Sequence, residues 1–276
     1  MEVIETIAGV RAARASLGPL GLVPTMGFLH AGHISLVERA RAECGAVAVS
    51  IFVNPTQFAA HEDLGRYPRD LARDLALLEA AGADLVFTPT PGEIYPAGFD
   101  TRIETGAVAV PLEGASRPGH FAGVATVVAK LFNIVQPTRA YFGQKDAQQT
   151  VVVRRMVRDL DMPVDIVVAP TVRDGDGLAL SSRNSYLTAD ERTRAPLLYR
   201  ALAGAEALYR AGERDAEVLR AAIRAAIAAE PAFTLDYVSV ADAESLVELE
   251  RVDGPAIASL AARLGTTRLI DNLPLG

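Results

Sequence analysis

His30 and His33 stand three positions apart in the run Pro24-Thr25-Met26-Gly27-Phe28-Leu29-His30-Ala31-Gly32-His33. This run follows the apolar stretch 20–23 and precedes a helix-like stretch, 34–44. A strand that turns through glycine into a helix leaves backbone N–H groups without intrahelical partners. Those donors and the helix dipole suit an anion such as a phosphate. Two imidazoles at such a turn can supply protons or positive charge. Gly27 and Gly32 permit close backbone approach to a ligand, and Pro24 can end the strand sharply. The chemistry suggested is that of a nucleotide enzyme. Taken alone, the H-x-G-H pattern also fits two surface or capping histidines beside a turn. No Cys, Asp or Glu stands nearby at metal-ligand spacing, so no zinc site is expected.

A second group, Phe142-Gly143-Gln144-Lys145-Asp146, again lies between a strand-like and a helix-like run. Lys145 there can reach a phosphate as a mobile point charge, or simply be solvated. Asp146 can cap the helix, or orient a ribose or a magnesium-bound water. Gln149, one turn on, falls on the side of Lys145. In Leu180-Ser181-Ser182-Arg183-Asn184, hydroxyls followed by a planar donor fork suit a phosphate chain, though a polar turn also accounts for them. Gln57 in Val53-Asn54-Pro55-Thr56-Gln57-Phe58 offers two donors and an acceptor to a small polar substrate, while Asn54-Pro55 also reads as a turn initiator. Arg117 and His120 fit ligand contact or loop ordering equally. His61 reads as a solvated loop residue and Cys44 as buried filler.

The elements that must position these residues alternate. Strand-like runs at 20–24, 46–53, 84–88, 140–143 and 164–169 are separated by helix-like runs at 34–44, 68–81, 124–135 and 147–160. Such alternation with continuous apolar strands indicates an α/β fold, a parallel sheet with helices on both faces. Ligands of such sheets bind beyond the carboxyl ends of the strands, where the motifs fall. After residue 170 the pattern changes to helical spacing at 190–212 and 215–229, then short strands at 235–241, 256–262 and 268–271. This indicates a smaller C-terminal α+β domain, with the Gly-, Asp- and Ser-rich stretch 171–185 as hinge. The expected domains are therefore 1–171 and 172–276.

The 276 residues suffice for two ordinary domains, and 50% hydrophobic with 22% charged residues fits a globular protein with a sizeable core. No apolar run approaches the roughly 20 residues of a membrane span, and the first residues do not read as a signal peptide. A single cysteine is consistent with a reducing cytoplasm. A net charge of −7, from 34 acids and 27 bases, argues against nucleic acid as the main partner. A small anionic ligand remains compatible, because local charge in a cleft decides that case.

Together the segments PTMGFLHAGH, SIFVNPTQF, RPGHFAGV, YFGQKDAQQ and TVRDGDGLALSSRNSYL, closed by TRLIDN, resemble the pantoate–β-alanine ligase (pantothenate synthetase) family, within the HxGH nucleotidyltransferase superfamily. Order and separation agree through nearly the whole chain. Two departures are Ala31, where the family is often acidic, and Leu180, where it usually has methionine. Neither position is expected to perform chemistry, and Met-to-Leu conserves volume.

The resemblance implies a Rossmann-like larger domain and a two-step ligation: ATP and (R)-pantoate give pantoyl adenylate and pyrophosphate, then β-alanine gives pantothenate and AMP. By motif, it assigns ATP contact to Met26, Gly27, Phe28, Leu29, His30, Ala31, Gly32 and His33, and to Gly143, Gln144, Lys145 and Asp146. Val172, Leu180, Ser181, Ser182 and Arg183 complete that set. His33 corresponds to the proton donor, with His30, Lys145, Arg183 and a magnesium ion held mainly by the ATP phosphates neutralising charge. Gln57 would contact pantoate and β-alanine, and Gln149 pantoate. A homodimer through the larger domain, and closure of the smaller domain to exclude water, are also implied.

Three other readings compete. A nucleotidyltransferase acting on a phosphorylated substrate would need more basic groups than VNPTQF and FGQKDAQQ supply. A class I aminoacyl-tRNA synthetase relative would carry a tRNA-binding domain. A nucleotide sensor need not keep both histidines, Lys145 and Arg183.

Overall fold

The computed structural model describes residues 1–59 and 62–276. They form two compact units, Met1–Gly143 with Val152–Pro170, and Gln144–Val151 with Thr171–Gly276. Residues 144–151, on the N-terminal side of a cut at residue 171, thus group with the second unit.

In the first unit the elements run β1 Glu2–Ile4, α1 Ile7–Arg14, β2 Leu20–Thr25, α2 Ala31–Cys44, β3 Ala46–Ile51, α3 Leu71–Ala80 and β4 Leu85–Phe87. Then follow the short helices α4 Pro91–Ile94 and α5 Glu113–Ser116, α6 His120–Val135, β5 Arg139–Gly143, α7 Ala147–Asp159, whose residues up to Val151 belong to the second unit, and β6 Asp165–Ala169. The strands form one sheet in the order β1-β4-β3-β2-β5-β6, every pairing parallel. From β2 the chain moves through β3 to β4 on one side, and from β5 to β6 on the other. Between β2 and β5 lies the switch point, beyond whose carboxyl ends ligand crevices open. The H-x-G-H turn leaves β2 there, and Gln144 directly follows β5.

The β-branched runs bury their faces as the alternation of a strand requires. Val23, Val47, Val49 and Val86 pack with Leu36, Val37 and Ala40 of α2 and Leu78 of α3. Leu20 and Leu22, fully buried, alternate onto the opposite face of β2. α6 packs on β2 and α1. It begins at His120, four residues before the expected start. β1 and α1 lie in a stretch where no element was expected; β1 has three residues at the sheet edge, too short for a periodic signal.

The second unit carries α8 Ala189–Arg194, α9 Leu197–Arg210 and α10 Ala216–Ala228, then the antiparallel strands β7 Phe233–Asp242, β8 Ala256–Leu264 and β9 Thr267–Leu275. Leu198, Leu202, Leu219 and Ile223 of the helices share a core with Leu260 and Leu264 of β8. The single helix expected over 190–212 is two helices, because Pro196 has no N–H to continue the first. The strands are longer than expected. β9 runs through Pro274, which an edge strand tolerates. The stretch read as a hinge contains a small hairpin, with Arg173 bridged to Ala179 and the Leu180 N–H donating to the Val172 carbonyl at 3.0 Å. Among the described residues no helix is long and apolar enough to cross a membrane.

Candidate active site

At the end of β2, Thr25 Oγ1 donates to the Ser50 carbonyl (2.7 Å) and accepts the Gly27 N–H (3.2 Å). The chain then turns through Gly27 (φ +82°) and Phe28 (φ +52°), both left-handed. A Cβ on Gly27 would stand 3.0 Å from Ile51 and 3.1 Å from Asp74 Oδ2, a tight fit added to the strain of a side chain at this φ. The N–H groups of Phe28 and Leu29 donate to the two oxygens of Asp74, each at 2.7 Å. Asp74, on α3, is only 1% exposed. Two N–H groups of the turn, ahead of the helix start at Ala31, thus serve an internal carboxylate.

His30 is the N-cap of α2. Its Nδ1 accepts the Gly32 N–H (3.2 Å), and His33 Nδ1 accepts the His30 N–H (3.3 Å), a capping box built from two imidazoles. The ring centroids are 4.0 Å apart. An accepting Nδ1 places the proton of the neutral ring on Nε2, an assignment that follows from the hydrogen-bond pattern. The capping and chemical roles weighed for these histidines therefore use different nitrogens of the same rings.

Gln57 closes a 3₁₀ turn, Pro55–Gln57, capped by Asn54. Asn54 is 1% exposed, and its Nδ2 donates to Gln57 Oε1 (3.1 Å) and the Gly123 carbonyl (3.2 Å). Its Oδ1 accepts from the Tyr95 hydroxyl (2.8 Å) and Thr56 Oγ1 (3.0 Å). Gln57 Nε2 lies 3.0 Å from Met26 Sδ, which brings two of the sequence-predicted residues together. Gly123 makes this packing possible: a Cβ there would fall 2.4 Å from the Thr56 carbonyl oxygen.

Behind the turn, His120 Nδ1 donates to the Gln57 carbonyl (2.8 Å) and its Nε2 faces Arg117 at 3.2 Å. Burial, then the Arg117 charge, push the His120 pKa down to about 4, so the ring is neutral near pH 7. Arg117 pairs with Glu62 at 2.5 Å. Burial works to raise the Glu62 pKa, but the Arg117 hydrogen bond and charge hold it below the usual carboxylate range. A cavity of about 430 Å³ adjoins this network, lined in part by Gln57, Tyr95, Arg102, Arg117 and His120. Both Arg117 and His120 thus order the loop that carries Gln57 and line a cavity.

In the second unit, Gln144–Asp146 form a 3₁₀ turn ahead of α7. Asn272 of β9 holds it: its Nδ2 donates to the carbonyls of Gln144 (3.0 Å) and Lys145 (2.8 Å), and its Oδ1 accepts from Gln144 Nε2 (3.0 Å). The adjoining Asp271 takes the Arg173 fork at 2.6 and 2.9 Å. The closing Asp271-Asn272 pair therefore supports both the Lys145 turn and the 173–179 hairpin. Lys145 Nζ lies 3.9 Å from Asp146 Oδ1, and Asp146 ends the turn directly ahead of α7. Gln149 sits half-buried in the start of α7. The hairpin pairs Val172 with Leu180, and Ser181 Oγ accepts the Arg183 N–H (3.3 Å) to cap the turn Ser182–Tyr186.

The structure groups the residues read from sequence by unit. Residues 26–33 and 57 lie in the first; residues 144–146, 149, 172 and 180–183 in the second. His61 lies outside the described residues. Cys44 is half-buried at the end of α2 with its Sγ 3.3 Å from the Tyr141 hydroxyl. Sequence reasoning missed Asp74, Arg173 and Tyr95. Only the alternation of α3 hints at Asp74, and nothing in it links the residue to the turn.

The Pantoate-beta-alanine ligase family model matches residues 2–274. A pantothenate synthetase of Chloroflexus aggregans is 65% identical over 274 residues, 99% of each chain, and one of Gluconobacter oxydans is 59% identical over the full length of both. A crystal structure of pantothenate synthetase from Thermus thermophilus aligns with a TM-score of 0.95 at 51% identity, covering 99% of each chain. A pantoate-beta-alanine ligase from Francisella tularensis, described as complexed with beta-gamma ATP and beta-alanine, aligns at 0.81 and 38% identity over 99% of this chain and 97% of that one. With the H-x-G-H turn at the switch point of a parallel sheet and this likeness along its whole length, the chain belongs to the pantoate–β-alanine ligase family.

Proposed function

We propose that the chain joins (R)-pantoate to β-alanine in two steps, with ATP as the activating substrate. A carboxylate is a poor acyl donor. Attack of the pantoate carboxylate on the α-phosphorus releases pyrophosphate and makes the carboxyl oxygen part of a good leaving group. The β-alanine amine then attacks the acyl carbon, and AMP departs as pantothenate forms. The observation that carries this reading is the paired imidazole cap at the carboxyl end of β2, in a family whose Francisella member is described as complexed with beta-gamma ATP and beta-alanine.

In this reading, residues 26–33, 143–146, 172 and 180–183 contact ATP. His33 donates a proton through Nε2, the nitrogen its capping bond leaves protonated. His30, Lys145 and Arg183 offset the charge that builds as an anion approaches a polyanion, the situation in which preorganised donors matter most. Gln57, fixed by Asn54 and backed by the neutral His120, binds pantoate and β-alanine; Gln149 binds pantoate. Primary amides suit this work, because they bind hydroxyl and carboxylate groups without adding charge beside the reacting centre.

Among the described residues no three His, Cys, Asp or Glu side chains are grouped to hold a metal ion, and magnesium enters this reading only as part of the ATP substrate. The reading places the reaction in the cytoplasm, supported by the single cysteine, and in a homodimer formed through the first unit, supported by the family likeness. Incubation with ATP, magnesium, pantoate and β-alanine tests it. AMP that appears only with both organic substrates supports the ligase; ADP or a stable nucleotide conjugate rejects it.

A further inference from the structure

Asp74 is a buried carboxylate with an unusual set of partners. Among the described residues it forms no ion pair; its two oxygens accept the N–H groups of Phe28 and Leu29, one each, at 2.7 Å. Burying a carboxylate is costly unless its hydrogen bonds are strong and well placed. A neutral side chain could satisfy two N–H groups less expensively in desolvation. The carboxylate gives something more: both bonds are charge-assisted, and its two oxygens fix two consecutive peptides at once.

Those peptides follow two left-handed residues, Gly27 and Phe28, and consecutive N–H groups of such a turn converge into a concavity that suits an anion. Phe28 at φ +52° adopts a conformation that a bulky residue rarely takes without outside support. The Arg73 guanidinium, beside Asp74 on α3, lies 5.3 Å from the Phe28 ring centroid and ties the same helix to the same turn. The next residue after this turn is His30, whose backbone N–H is the donor to His33. The position of Leu29 therefore sets the entry to the imidazole pair.

We propose that Asp74 is a positioning residue for adenylate formation: its carboxylate acts as a resident anion that holds residues 27–29 in shape before ATP binds, and so places His30 and His33. The inference rests on the function proposed above. It differs from a general stabilising role in where a defect should fall. The histidines serve the step in which phosphate charge develops, whereas aminolysis of a finished adenylate depends on the amide-bearing side of the site.

The test compares wild type with Asp74→Asn, which keeps the volume but turns an NH₂ group toward one of the two N–H donors. Two activities are measured separately: pantoate-dependent exchange of pyrophosphate into ATP, and consumption of supplied pantoyl adenylate by β-alanine. The turnover of exchange should fall roughly tenfold to a hundredfold, as misplacement by about 1 Å does elsewhere. The KM for ATP should change less than roughly threefold, and aminolysis less than roughly twofold. If Asp74→Asn does not fold, Gly27→Ala, which crowds the same carboxylate, should give the same split between the half-reactions. Undiminished exchange in the variant, or equal losses in both half-reactions, overturns the inference. A wild-type protein without pantoate-dependent exchange overturns the proposed function as well.

Discussion

His33 accepts the backbone N–H of His30 through Nδ1 at 3.3 Å, so one imidazole completes the cap of the helix that the other begins. Capping and catalysis are therefore compatible roles for these histidines rather than alternatives. The bond that caps the helix also fixes the tautomer, and leaves Nε2 as the proton-bearing nitrogen for chemistry.

Two substitutions separate the observed cap from the proposed proton donation. His33→Ala removes both functions and should cost about 1 kcal/mol of stability along with adenylate formation. His33→Gln can restore the capping bond, since glutamine serves at this position of a capping box. It should melt near wild type yet lose roughly a hundredfold or more in pyrophosphate exchange. Thermal melts beside exchange assays check this, and near-normal exchange in either variant removes His33 from the chemistry.

Lys145→Ala should weaken use of ATP, by roughly tenfold or more if one charge-assisted contact to phosphate is lost. Asn272→Ala should produce the same pattern more mildly, because Asn272 holds the carbonyls of Gln144 and Lys145 without itself carrying charge. Exchange rates measured against ATP concentration decide. An unchanged ATP dependence in Lys145→Ala contradicts the placement.

Gly123→Ala should push the Pro55–Gln57 turn, since its Cβ would fall 2.4 Å from the Thr56 carbonyl oxygen and 2.8 Å from the Gln57 nitrogen. Overpacking of this kind costs about 1–3 kcal/mol. The displaced Gln57 should raise the KM for pantoate and β-alanine more than that for ATP, which steady-state kinetics with each substrate varied in turn will show.

Stability should depend on His120 in mild acid. Its pKa is near 4 folded against 6.5 ordinarily, so between these values the unfolded chain binds a proton that the folded one refuses. Stability therefore falls as pH drops through that window, by up to about 1.4 kcal/mol per pH unit from this group. Above pH 6.5 its contribution is flat. Urea titrations at several pH values should show a shallower slope for His120→Gln than for wild type.

Much of this fold was legible in the sequence because its signals are local. The run 46–51 is β-branched and small, and Gly45 stops the helix before it, so strand and boundary are both written in neighbouring residues. Pro196 was equally visible, yet the Ala- and Arg-rich periodicity around it masked the break between α8 and α9. The imidazole and amide positions stood out by residue type and spacing. Their supports did not: Asp74 reaches Phe28 across 46 positions, and Asp271 reaches Arg173 across 98. Such pairs depend on tertiary packing, which carries no periodic trace. The closing TRLIDN was legible only through family likeness, and its work of holding the Lys145 turn emerges from the hydrogen bonds of Asn272.

In the proposed route the pantoate carboxyl oxygen becomes bonded to the α-phosphorus of ATP. Pantoate labelled with ¹⁸O in its carboxylate, turned over with ATP and β-alanine, tests this directly by mass spectrometry of the products. One labelled oxygen should appear in AMP and none in pyrophosphate. Label in inorganic phosphate accompanied by ADP, or AMP free of label, would contradict the adenylate route.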